Sequence, residues 1–169
     1  IRINAVYPEQ WYDYSGLSLE GLSYWDCINE ITDFAAERDR KRTNQKVNPD
    51  EWDMNILESN AYYNPQDNSI NILLGILGGE FYREDMTEEE LYGSIGMVIG
   101  HEISHAFDTN GAQFDKDGNL SNWWTEEDME AVQERADRLI AYYDEIIPFQ
   151  NEKVRGANVQ TEAIADMGG

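Results

Sequence analysis

The sequence is poor in cysteine, histidine and basic side chains, and each shortage closes off a class of function. Its single cysteine, Cys27, rules out an internal disulfide and, with no catalytic partner in view, reads as packing rather than as a nucleophile. Lys and Arg number 12 against 34 Asp and Glu, a formal charge of −22. Such an acidic exterior, well solvated, repels phosphate backbones and anionic headgroups, so nucleic acid and membrane are not expected partners of this segment. No apolar run reaches the roughly 18 residues of a membrane span. Internal repeats and low-complexity linkers are also missing. High charge can mean disorder, but 5 Trp, 10 Tyr and 5 Phe in 169 residues argue for a packed core. The chain opens at Ile1 and stops at Met167-Gly168-Gly169. It reads as one domain's worth of a longer protein.

The hydrophobic pattern predicts an α+β fold, mainly helical, with a small antiparallel sheet. Residues 1–50 form an aromatic, turn-rich lead-in and then a helix from Ser18, with Leu22, Trp25, Ile28, Ile31 or Thr32, and Ala35 as its inward stripe. Its basic end, Arg38–Lys46, suits the helix dipole. Over 51–77 the period shifts to two. Asn60–Tyr63 and Ser69–Leu74 read as a hairpin across Asn64–Asn68, whose free edge could pair with an extended peptide. Thr87-Glu88-Glu89-Glu90 is a capping box opening a helix over 87–108. Along it Gly93, Gly96 and Gly100 recur, which predicts a close neighbour on that face. Asp115–Asn119 lacks the carboxylates of a calcium loop and reads as a tight turn. Thr125 caps a helix over 125–147 with Met129, Val132, Ala136, Leu139, Ile140 and Tyr143 inward. After a polar loop, Thr161 caps a last helix, 161–169.

Both histidines fall in one short stretch, His101-Glu102-Ile103-Ser104-His105. Residues four apart share a helix face, so two imidazoles here can hold one Zn²⁺ and Glu102 can act as base toward a water on it. A catalytic zinc needs a third protein ligand, here a carboxylate or Cys27. The longer HExxHxxGxxH pattern is excluded by Asp108 and Gly111. Glu162 is the best candidate. Asp166, one turn on, and Asp108 both stand as carboxylates able to accept the free N–H of a ligating histidine. The plainer alternative for Glu162 and Asp166 is an acidic helix start favoured by the dipole.

His101-Glu102-xx-His105, Glu162-xxx-Asp166 and Asn60-Ala61-Tyr62-Tyr63 together resemble the neprilysin family of zinc metalloendopeptidases, which includes PepO-like bacterial enzymes. The likeness runs from about Trp52 to Gly169, through Gly96–Gly100, Asp117-Gly118 and Trp123-Trp124, and is weak over 1–50. It implies a zincin-type, thermolysin-like catalytic-domain fragment binding one Zn²⁺ through His101, His105 and Glu162. Glu102 would be the general base, with Asp166 contributing to catalysis by orienting a histidine. Asn60 and Ala61 would bind the backbone of a peptide substrate, and Ile76, Phe81, Met97 and Val98 would form its apolar side-chain pocket. The segment Thr161–Asp166 lacks the Gly and Asn of the usual GENIAD pattern, and Leu73–Leu77 stands where P-A-[GA]-I-L is usual. Neither change removes a ligand. The family's oxyanion-stabilising His and Arg lie downstream of the third ligand, so the rest of the parent chain, with an N-terminal lid domain, is an implied partner. A non-catalytic zinc-stabilised or peptide-binding module is the rival reading.

Overall fold

A computed structural model describes residues 1–169. Two compact units divide the chain: Pro8–Trp52, and Ile1–Tyr7 together with Asp53–Gly169.

The smaller unit is built on α1, Tyr24–Arg42, whose N-cap Ser23 accepts from the Asp26 amide. Its sheltered face differs from the expected stripe. Trp25 is 69% exposed and Leu22, Ile28 and Ile31 are also exposed, whereas Cys27, Phe34, Ala35 and Arg38 are half-buried. The lead-in sets this face: the Tyr14 ring stacks on Phe34 at 6.0 Å and Arg38 lies 4.2 Å over the Tyr12 ring. Cys27 packs with its sulfur 3.9 Å from the Leu19 carbonyl.

The larger unit begins with β1, Arg2–Val6, followed by β2, Ala61–Asn64, and β3, Ser69–Leu73. β2 and β3 form the expected antiparallel hairpin. Asn64 caps its turn by accepting from the Gln66 amide, and Asn68 takes the left-handed conformation that closes it. The sheet is mixed rather than purely antiparallel, because β1 pairs parallel to β3 and gives the order β1-β3-β2. β2 is therefore an edge. On one side of the sheet Ala61, Ile72, Ile76 and Val98 form the core, flanked by Leu77, Phe81, Ile95, Met97 and Ile99. Buried polar groups on β3 are paired: Asn4 donates to Asn71, Asn71 to Ser69, and Ser69 to Asp67.

Next comes one continuous helix in three parts: α2, Glu88–Leu91; a π-helical turn, Tyr92–Gly96; and α3, Met97–His105. The Thr87–Glu90 capping box is complete. Gly93 has no near neighbour, and Gly96 approaches only Leu91 and Tyr92 of its own helix. Gly100 alone of the three meets another element. α4, Glu126–Asp144, is capped by Thr125 and turns Ala136 fully inward, with Val132, Leu139, Ile140 and Tyr143 half-buried and Met129 exposed. It stops at Asp144, short of Pro148, and the Asp144 carboxylate accepts the Gly156 amide at 2.7 Å, which anchors the following helix. That helix, α5, runs Gly156–Gly168. Thr161 thus lies inside α5 instead of capping it, since Gly156 starts the helix where any Cβ would overlap the Ile140 carbonyl. No helix is long and apolar enough to cross a membrane.

Candidate metal centre

α3 presents His101 and His105 one turn apart, and α5 crosses beside it with Glu162 and Asp166 one turn apart. Three atoms converge. His101 Nε2 and His105 Nε2 are 3.1 Å apart, and Glu162 Oε2 lies 3.4 Å from the first and 3.7 Å from the second. An ion bound tetrahedrally at about 2.0–2.1 Å spaces its ligand atoms by about 3.3–3.4 Å. The triangle therefore fits a zinc-sized ion without rearrangement.

Each imidazole is held from behind by a carboxylate. His101 Nδ1 is 2.9 Å from Asp166 Oδ1, and His105 Nδ1 is 2.7 Å from Asp108 Oδ2. A carboxylate there accepts a hydrogen bond from Nδ1–H, which leaves each Nε2 lone pair free toward the shared point. Asp108 is itself fixed, accepting at Oδ1 from the Asn110 and Gly111 amides at 2.7 and 2.8 Å. Burial pushes the Asp108 carboxyl up, but the bonds from His105, Gly111 and Asn110 prevail and hold it below the usual carboxylate value. The same Asp108 bond raises the His105 imidazole against the effect of its burial.

Glu102 points between the helix and the sheet edge and is 6% exposed. Burial raises its carboxyl above the ordinary value, while the two imidazoles and a bond from the Tyr63 amide draw it partly back. That bond ties the open edge of β2 to Glu102. The neighbouring edge amide, Ala61, is held by the Asn60 side chain at 2.9 Å.

A cavity of about 400 Å³ joins these groups. His101, Glu102, His105 and Glu162 line it with Asn60, Ala61 and Asp108, so the structure brings most of the sequence-derived site together. Four expected pocket residues are placed elsewhere. Ile76 and Val98 are buried in the apolar core behind Ala61, where Phe81 and Met97 pack on them, because their side chains cover one another and the inner face of β2. Tyr63, Pro65, Asn110, Gly111 and Phe114 also line the cavity and were missed. Of these only Tyr63 falls in a motif singled out by the sequence, Asn60–Tyr63. Asp115–Asn119 is a tight turn as expected, with Asp115 accepting from the Asp117 and Asn119 amides. It abuts the hairpin turn: a Cβ on Gly118 (φ +78°) would overlap the Gln66 carbonyl, and Asn68 donates to the Lys116 carbonyl.

The sequence model of peptidase family M13 matches residues 60–169. The chain belongs to peptidase family M13. It is 38% identical over 156 residues to a neutral endopeptidase of Lactococcus lactis subsp. cremoris, covering 92% of this chain and 25% of that protein. A putative zinc metalloproteinase of Streptococcus gordonii is 47% identical over 176 positions, covering all of this chain and 31% of its own length. Among solved structures, the zinc metalloprotease ZMP1 of Mycobacterium tuberculosis, in complex with inhibitor, superposes with a TM-score of 0.92 at 35% identity, over 99% of this chain and 26% of that one. This M13 chain thus spans about a fifth to a third of the length of the relatives it matches. Its mainly helical, mixed-sheet fold is that of M13 zinc metallopeptidases, and the family implies a zinc cofactor.

Proposed function

We propose that this chain carries the zinc-binding and base-bearing part of an M13 metalloendopeptidase that hydrolyses oligopeptides. The observation that carries the reading is the convergence of His101 Nε2, His105 Nε2 and Glu162 Oε2 at zinc-ligand spacing, with the buried Glu102 beside them. Bound there, zinc would polarise a scissile carbonyl and make a neighbouring water acidic enough to attack near neutral pH.

The protein's own groups do the rest. Glu102, its carboxyl raised above the ordinary value by burial, takes the proton of the attacking water and hands it to the leaving amide nitrogen. Asp166 and Asp108 keep His101 and His105 in the tautomer that leaves Nε2 free. A peptide laid antiparallel along β2 meets Asn60 and Ala61 and passes Glu102. Because no Lys or Arg lines the cavity, the isolated chain is expected to bind one zinc yet cleave peptides slowly.

Zinc content after dialysis, followed by a quenched-fluorescence peptide assay on the chain and on a parent-length protein, tests the reading. One zinc per chain with zinc-dependent cleavage by the parent-length protein supports it. Peptide binding without any cleavage by either would establish the non-catalytic module instead.

A further inference from the structure

Gly100 of α3 and Gly168 of α5 meet where the two helices cross. A Cβ on Gly100 would lie 2.7 Å from the Gly168 carbonyl oxygen and 3.1 Å from the Gly169 Cα. One on Gly168 would overlap the Ser104 hydroxyl and come within 2.7 Å of the Ser104 Cβ. Neither glycine adopts a positive φ. Backbone freedom therefore does not call for glycine here, and Gly100, inside α3, costs about 1 kcal/mol of helix propensity relative to alanine. What the pair permits is a contact closer than any side chain allows.

The same two helices carry His101, Glu102 and His105 on one side and Glu162 and Asp166 on the other. Gly100 directly precedes His101. Gly168 lies two residues beyond Asp166 and six beyond Glu162, about 3 Å and 9 Å along the helix axis. We propose that Gly100 and Gly168 are positioning residues of the metal centre: their contact sets the distance of α5 from α3, and with it the reach of Asp166 to His101 and of Glu162 to the shared ligand point. The proposal rests on the metal-centre reading above. A methyl group at the contact levers the C-terminal end of α5 outward, so the Asp166–His101 bond is disturbed first and Glu162 less.

The two glycines differ in what they touch, and the difference supplies the test. Gly168 faces a side chain, so Ser104→Gly removes its obstacle; Gly100 faces backbone, which no substitution removes. Zinc affinity is measured by chelator competition, the cobalt-substituted visible spectrum reports ligand geometry, and far-UV circular dichroism checks the fold. Gly168→Ala is expected to keep its helicity, lose about 10-fold or more in zinc affinity and alter the cobalt spectrum, as changes behind a ligand do. Ser104→Gly/Gly168→Ala should recover both, whereas Gly100→Ala should stay impaired with or without Ser104→Gly. In an Asp166→Asn background, Gly168→Ala should cost less than it does alone. Wild-type affinity and spectrum in a folded Gly168→Ala overturn the proposal, as does a loss that Ser104→Gly leaves untouched. Should Gly168→Ala fail to fold, the Ser104→Gly/Gly168→Ala pair decides: wild-type affinity supports the contact, and a pair that is weakened or unfolded overturns it. If the unmodified chain takes up no zinc, the metal-centre reading falls before this one is reached.

Discussion

The two histidines share one motif and one kind of partner, yet they are supported from different places. Asp108, three residues after His105, has a side chain only 3% exposed and is locked by two backbone amides. Asp166, which supports His101, arrives 65 residues later on another helix and has a side chain 67% exposed. One support is local and built by the turn that ends α3; the other depends on how α5 docks. The same hydrogen bond therefore differs in what maintains it, and the two halves of the site should fail in different ways.

Removing a donor from the shared point should have the largest effect. His105→Ala and Glu162→Ala are each expected to abolish stoichiometric zinc in dialysed protein; a full equivalent retained by Glu162→Ala would mean that another group is the third ligand. Asp108→Asn should come next, near the upper end of the 10–100-fold range for residues behind a ligand. An amide there has one oxygen to serve both the His105 N–H and the two backbone N–H groups, so some pair of donors must face each other. Asp166→Asn should cost only about 10-fold, because its amide oxygen can still accept from His101 and its other face meets water. Equal losses in these two variants, by competition titration, would erase the distinction between buried and exposed support. Glu102→Gln should change zinc affinity least, while removing peptide cleavage in a parent-length protein; comparable turnover in that variant would take Glu102 out of the mechanism.

Much of this centre was legible as spacing. The i,i+4 rule puts His101 with His105 and Glu162 with Asp166 on single faces, and the Thr87–Glu90 cap and the Asn64–Asn68 turn are local chemistry that the structure reproduces. What escaped depends on contacts between distant segments. The parallel pairing of β1 with β3 joins residues 67 apart and leaves no trace in the periodicity of either strand. α5 starts at Gly156 because of Ile140 and Asp144, not because of any capping residue of its own. The apolar stripe on α1 gave the right helix but the wrong sheltered face, since Tyr12 and Tyr14 select Phe34 and Arg38 instead. Ile76, Phe81, Met97 and Val98 are apolar enough for either a core or a pocket, and composition cannot separate the two. The role of Gly100 needed the position of α5 before its spacing meant anything.

The wide turn at Tyr92–Gly96 bears on how this helix can vary in length. A π-turn holds one residue more than the α-helical path it replaces, so it acts as a slack link between the capping-box end and the histidine end. Deleting one residue there closes the turn into ordinary α-helix and leaves both the capping-box end and the histidine ladder close to their present facing. The same deletion one turn later, between Met97 and His101, would instead carry both imidazoles off the shared point. Length changes are thus absorbed before Met97 and forbidden after it, and the wide turn marks where the helix stops being interchangeable.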